Sequence, residues 1–299
     1  MNGSPEPLAP GATSLPPPAP LVDPGPPGST PAPGIPPPPP PPKSRKNLYI
    51  AIGAVVVVVV VVIALLAVLG VFNSSSPASG PMGSPLPYSQ AIGPAQTSAN
   101  TTQGGPWTIV AAEGIGIANG LSSTNSEGVV GGSCTFTPVA DSPSEVTIPG
   151  TPGNATGGSV AFWIFFATQT NTSAILLLSV TANAILPWGT ITGSECSHAF
   201  GDLGGISNQR LIDSTTAAAD LDSNGGTAFL SNHTGVSQEF ILFGAEEATS
   251  NVAAWDVTYT TCGLTATSGS GYEITAAFLA TTGAIFEGPT SEAITCGSS

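Results

Sequence analysis

The run Leu48–Phe72 reads LYIAIGAVVVVVVVVIALLAVLGVF, 25 residues without a charge. A helix rises about 1.5 Å per residue, so about 20 apolar residues cross a hydrocarbon core. In water such a helix needs apolar cover on every side. In lipid it satisfies its own backbone groups internally. The run predicts a transmembrane helix over 47–72, and that prediction sets the compartments for the rest of the chain.

Only four basic residues occur, Lys43, Arg45, Lys46 and Arg210, and three of them directly precede the apolar run. Cytoplasmic flanks collect Lys and Arg, which places the N-terminus inside and the C-terminus outside the cell membrane. A cleaved signal peptide needs a shorter apolar core and a small-residue cleavage site. Val68–Phe72 offers no such site, and an uncleaved signal anchor fits better. A pilin precursor is set aside because no small residue follows a basic one at the border Lys46–Asn47–Leu48.

Residues 1–46 hold 19 of the 31 prolines and end in Pro36–Pro42. Proline fixes φ and lacks an N–H, so a disordered cytoplasmic tail with a polyproline II stub is expected. It serves as a docking segment or as a stiff spacer. Residues 73–105 read as a stalk. Within it Tyr88, Ile92, Ala95 and Ala99 form a helical stripe with Ser89 as a possible cap, interrupted by Gly93-Pro94.

Residues 73–299 carry a net charge of −15. A surface this acidic repels phosphate backbones, which excludes nucleic-acid partners. It suits a salty or cation-rich medium. From Trp107 onward short apolar segments alternate with Gly, Pro, Asn and Ser. Candidate strands are Trp107–Ala112, Val129–Thr137, Glu145–Ile148, Ser159–Thr168, Ala174–Ala182, Thr190–Cys196, Gln209–Ile212, Thr227–Ser231, Glu239–Phe243, Ala254–Thr261, Tyr272–Ala280 and Ala284–Phe286. The pattern predicts an all-β ectodomain over 106–299, an antiparallel β-sandwich or jelly roll. Trp255, Val257 and Tyr259 alternate with Asp256, Thr258 and Thr260, as in a strand with one wet face. Val160–Ala167 is apolar on both faces, and with Ala174–Val180 it reads as a hairpin in the middle of the core.

All four cysteines fall on the outer side, and none forms a C-x-x-C pair, so disulfides are favoured over zinc. Of three possible pairings, Cys134–Cys196 with Cys262–Cys296 is expected, because the second bridge would fasten the last strand to the sheet. Asp220-Leu-Asp222-Ser-Asn224-Gly225 matches the oxygen spacing of a Ca²⁺ loop, yet its twelfth position is Ser231 rather than Glu. Asp220, Asp222 and Asn224 are therefore either ligands of a structural Ca²⁺ or part of an Asn-Gly-Gly turn between two strands. No other cofactor motif is present. Sequons outside the membrane lie at Asn73, Asn100, Asn154, Asn171 and Asn232.

His198 and His233 are the only histidines, and neither belongs to a G-x-S-x-G or H-E-x-x-H pattern. The carboxylates are scattered singly except Glu246-Glu247. The expectation is a membrane-anchored surface protein acting in binding, adhesion or envelope structure toward an extracellular ligand, with no catalytic residues. An anchored envelope hydrolase or an accessory subunit of a membrane complex are the alternatives. The chain carries PPPPPPPKSRKN at Pro36–Asn47, the valine run, YSQA at Tyr88–Ala91 and GGPWTIVAAEGI at Gly104–Ile115. In these it resembles a loose group of archaeal single-pass surface proteins with a proline-rich tail and a Thr/Ser/Gly-rich β ectodomain. That group has no established activity, so the resemblance implies location and build only.

Overall fold

The computed structural model describes residues 82–296, apart from 103, 118–119, 125–126, 132–133, 141, 152–156, 170–171, 173, 194–204, 207–208, 248–249 and 264–268. Every described residue belongs to one compact unit. The proline tail, the apolar run, Asn73, Asn154, Asn171, Cys196 and His198 lie outside the described residues. None of the described helices is long and apolar enough to cross a membrane.

The described part is mostly antiparallel β-sheet. In chain order it comprises α1 (Tyr88–Thr101), β1 (Thr108–Gly116), β2 (Leu121–Thr124), β3 (Gly128–Gly131), β4 (Cys134–Pro138), β5 (Glu145–Ile148), β6 (Phe162–Thr168), β7 (Ala174–Val180) and β8 (Ile185–Thr192). Then follow α2 (Ser214–Leu221), a π-type turn (Asp222–Gly226), α3 (Thr227–Asn232), β9 (Ser237–Glu247), β10 (Ser250–Thr260), β11 (Ser270–Leu279) and β12 (Ile285–Thr295). Ten strands form one sheet in the order β12-β11-β10-β9-β1-β6-β7-β8-β4-β3, while β2 and β5 form a separate pair.

The sequence period explains the two faces. Side chains alternate across a strand, so β6 sends Phe162, Ile164 and Phe166 to one face and Trp163 and Phe165 to the other. All five are buried. The expected central hairpin is present, with β6 paired to β7 from Trp163↔Val180 to Thr168↔Ile175. On the first face, Phe136, Phe162, Phe166, Leu177 and Trp188 pack with Val146 and Ile148 of β5, so the small sheet covers this region. On the second face lie Trp163, Phe165, Trp255, Val257 and Tyr259, covered by α1 and α2.

Helix α1 is present but docks differently from the expected stripe. Its buried residues are Tyr88, Ala91, Ala95 and Ala99, and it continues through Pro94. Three alanines let the helix lie close to the sheet, which offsets the hydrogen bond lost at proline. Tyr88 anchors it, with ring centroids 5.8 Å from Trp163 and 5.2 Å from Trp255. Ser89 is not the cap. Its N–H and hydroxyl donate to the two carboxylate oxygens of Asp213, at 2.8 and 2.9 Å. Asp213 also accepts from Ser214 N–H at the start of α2, so one carboxylate serves two helix N-termini.

Several sequence expectations need correction. Thr227–Ser231, read as a strand, is helical, and Gln209–Ile212 is not a strand. Val129–Thr137 is not one strand but the pair β3–β4. The face of β10 expected to be wet is half-buried at Asp256 and Thr258. There Thr275 Oγ1 donates to Asp256 Oδ1 at 2.9 Å, and Thr258 Oγ1 donates to Thr275 Oγ1 at 2.9 Å.

The Cys262–Cys296 disulfide is present, bridging 34 positions of chain. Cys134 is also disulfide-bonded. The first bridge spans β11 and ties the end of β12, an edge strand, to the end of β10. A Cβ at Gly271 would come within 2.4 Å of Cys262 Sγ, so the bridge can cross β11 only above a glycine. Glu287, Pro289 and Glu292 on β12 discourage further strand pairing at this edge. Replacing Cys262 and Cys296 by Ser together is expected to destabilise the domain by about 4 kcal/mol, the value for a loop of this length. Denaturant melts of the wild type and the double variant measure it.

Candidate functional site

Four singly spaced carboxylates meet on one sheet face. Glu113 sits on β1, Glu239 on β9, Asp256 on β10 and Glu273 on β11. These four strands are consecutive neighbours in the sheet. The register brings the side chains to the same face. Glu113 pairs with Ile241, Ile241 with Asp256, and Asp256 with Ala277. Glu239 lies two residues from Ile241, opposite Thr258. Glu273 lies opposite Glu292 of β12, and Ala277 opposite Glu287. This is the face that carries Phe162 and Trp188, and on β1, β9 and β10 its carboxyls alternate with the buried Ile115, Ile241, Phe243 and Ala254.

Burial governs the chemistry of these groups. Glu113 is 1% exposed, and its Oε2 meets no hydrogen-bond partner among the described residues. Its other contact is a hydrogen bond with the Glu239 carboxyl. Two adjacent buried carboxyls cannot both ionise cheaply, and desolvation favours the neutral form of each. Burial first, then the Glu239 charge and hydrogen bond, push Glu113 well above the carboxylate range. Glu239 is pushed up to about 7, chiefly by burial, with the Glu113 hydrogen bond opposing and Asp256 and Glu273 adding to the rise. Burial pushes Asp256 up to about 6, against hydrogen bonds from Thr275 and Thr258. Glu273 is raised by burial and then by Glu292 and Asp256. The arrangement holds protons at pH values where exposed carboxylates have lost them.

The candidate Ca²⁺ residues lie elsewhere, at the junction of α2 and the π-type turn. Asp222 Oδ1 accepts from the Tyr259 hydroxyl at 3.1 Å. Asn224 Nδ2 donates to the Asp220 carbonyl at 2.7 Å. Asp220 Oδ2 is buried without a hydrogen-bond partner among the described residues. Burial raises both aspartates, with the Tyr259 hydrogen bond opposing at Asp222. The segment is a kink between helices, with Asn224 and Gly225 leaving helical geometry, rather than a turn between strands. Among the described residues no group of three or more His, Cys, Asp or Glu side chains is placed to hold a metal ion.

His233 follows α3 and belongs to an aromatic stack, 4.5 Å from the Phe229 ring and 4.8 Å from the half-exposed Tyr272 ring. Of the sequons, Asn100 and Asn232 are exposed. The acid face escaped sequence reading because its carboxylates lie singly on four separate strands. Only strand order and register bring them together. Comparisons with family models, with curated proteins and with solved structures find no match.

Proposed function

We propose that the chain is a single-pass surface protein with its N-terminus in the cytoplasm. Its all-β ectodomain, on this reading a β-sandwich, acts outside in binding, adhesion or envelope architecture. The observation that carries the reading is the Cys262–Cys296 disulfide, with Cys134 also bonded. Disulfides persist in oxidising compartments. The bonded domain therefore belongs on the opposite side of the apolar run from the Lys43–Lys46 cluster.

The described side chains favour a non-catalytic role. A hydrolase needs a nucleophile and a base within hydrogen-bond reach, facing a cleft. Here Glu113 is sealed in the sheet face and His233 is stacked between aromatic rings. The proline-rich tail serves as spacer or docking segment inside, and exposed Asn100 and Asn232 are available to glycans outside.

Protease added to intact cells is expected to remove the Trp107–Ser299 domain and to spare residues 1–46, read with antibodies to each part. External cleavage of the tail with an intact ectodomain overturns the topology.

A further inference from the structure

We propose that the β7–β8 end of the domain is its membrane-facing surface, seated on the headgroup layer of the bilayer that holds the anchor. The inference rests on the single-pass reading above and adds an orientation to it.

Five large apolar side chains are notably exposed among the described residues: Met82 at 56%, Ile185 at 40%, Leu186 at 38%, Tyr272 at 51% and Ile285 at 50%. The first three surround one feature, the turn Thr181–Ala184 between β7 and β8. Two depressions flank this turn. One, of 330 Å³, lies between the turn and helix α1 at Gln90 and Pro94, with Ile185 on its rim. The other, of 260 Å³, lies between the turn, Met82 and Leu186. The turn pairs three of its four amides internally. Thr181 N–H donates to the Ala184 carbonyl at 2.9 Å, and Ala184 N–H donates to Thr181 Oγ1 at 3.1 Å.

Charge makes the same division. Residues 174–193 contain no charged side chain, in an ectodomain of net charge −15. Glu145 is the one charged residue lining either depression. Elsewhere the domain would have to strip water from carboxylates to touch lipid headgroups. Here it has almost none to strip.

The tether selects the occupant. Nine residues separate Phe72, the end of the apolar run, from Met82. Ten peptide steps reach at most about 35 Å. Met82 is fixed to the domain through its bridge to Gly150, and Leu86 through its bridge to Val160. Whatever the course of the nine residues, Met82 stays within that radius of the bilayer. The tether therefore lets the uncharged, apolar-rimmed end reach the headgroup layer.

The test uses the full chain in phosphatidylcholine vesicles, with a nitroxide on Ala182→Cys in the turn. The control is Thr281→Cys in the β11–β12 turn, at the other end of the strands. Both positions are exposed. The ratio of oxygen accessibility to that of a water-soluble nickel chelate is expected to be several-fold higher at 182 than at 281. Equal ratios at the two positions, in protein that floats with the vesicles after alkaline carbonate washing, overturn the proposal. Protein that does not float overturns the anchor reading instead. Spin–spin broadening at 182 that vanishes on dilution into excess lipid assigns the surface to a second copy of the chain and also overturns the proposal.

Discussion

Between pH 5 and pH 8 the thermal midpoint of the full chain in detergent is expected to fall by roughly 10 °C, the opposite of the usual acid sensitivity of carboxylates. The sign follows from the acid face. Glu239 and Asp256 have pKa values raised to about 7 and about 6 in the folded protein, and Glu113 is raised well above its ordinary value. In the unfolded chain these groups titrate near 4. Between those values the native state binds more protons than the unfolded state. The stability they contribute is fully present below about pH 4 and is lost as pH rises through 6 and 7. A shift of two units corresponds to about 3 kcal/mol for one group, and coupling between Glu113 and Glu239 keeps the total below a simple sum. Ionisation also increases the net negative charge of the domain, which acts in the same direction. Glu239→Gln, a neutral stand-in for the protonated acid, is expected to raise the midpoint at pH 8 and flatten its pH dependence. A midpoint that climbs from pH 5 to pH 8, or a Glu239→Gln variant with an unchanged slope, refutes this account.

How much of this was legible beforehand depends on the range of the interactions involved. Strand positions followed from local alternation. Trp255, Val257 and Tyr259 face the core as their spacing demands, and Val160–Val180 forms the apolar hairpin because both of its faces are buried. Cys262–Cys296 was legible because the terminal strand needs a fastening and the spacing permits one. The region from Asp213 to Asn232 misled for a local reason. Asn224-Gly225-Gly226 is a strong hairpin signal, and Thr227 favours strands. The alanines of α2 and the Asp213 cap outweigh both, so the glycines make a kink between helices instead. The acid face was illegible for a non-local reason. Glu113 and Glu239 touch only because β1, after pairing with β6, pairs with β9 on its other edge. No local rule reads that pairing from composition. The supposed wet face of β10 failed likewise, since its neighbours β9 and β11 bring carboxyls and threonines rather than solvent to Asp256.

Gly158→Ala is expected to cost the domain about 4 kcal/mol, because two penalties coincide there. Gly158 has φ +71°, a left-handed conformation that L side chains resist. Its position is also closed by contact. An added Cβ would sit 2.2 Å from the Ser214 carbonyl oxygen, an overlap that backbone alone must relieve. Moving that backbone disturbs a node. Ser214 Oγ donates to the Gly158 carbonyl at 2.6 Å and accepts from Tyr88 N–H at 3.0 Å, joining the start of α1, the start of α2 and the entry to β6. Ser214 is fully buried, so a broken bond there leaves polar atoms without water. The loss should appear in denaturant melts as a lowered midpoint with an unchanged slope. Gly157→Ala is the control. Gly157 also has positive φ, at 83°, but nothing lies within 4 Å of its added Cβ. Backbone strain alone should cost it about 1–2 kcal/mol. Equal losses at the two positions would show that conformation, not the Ser214 contact, sets the requirement for glycine.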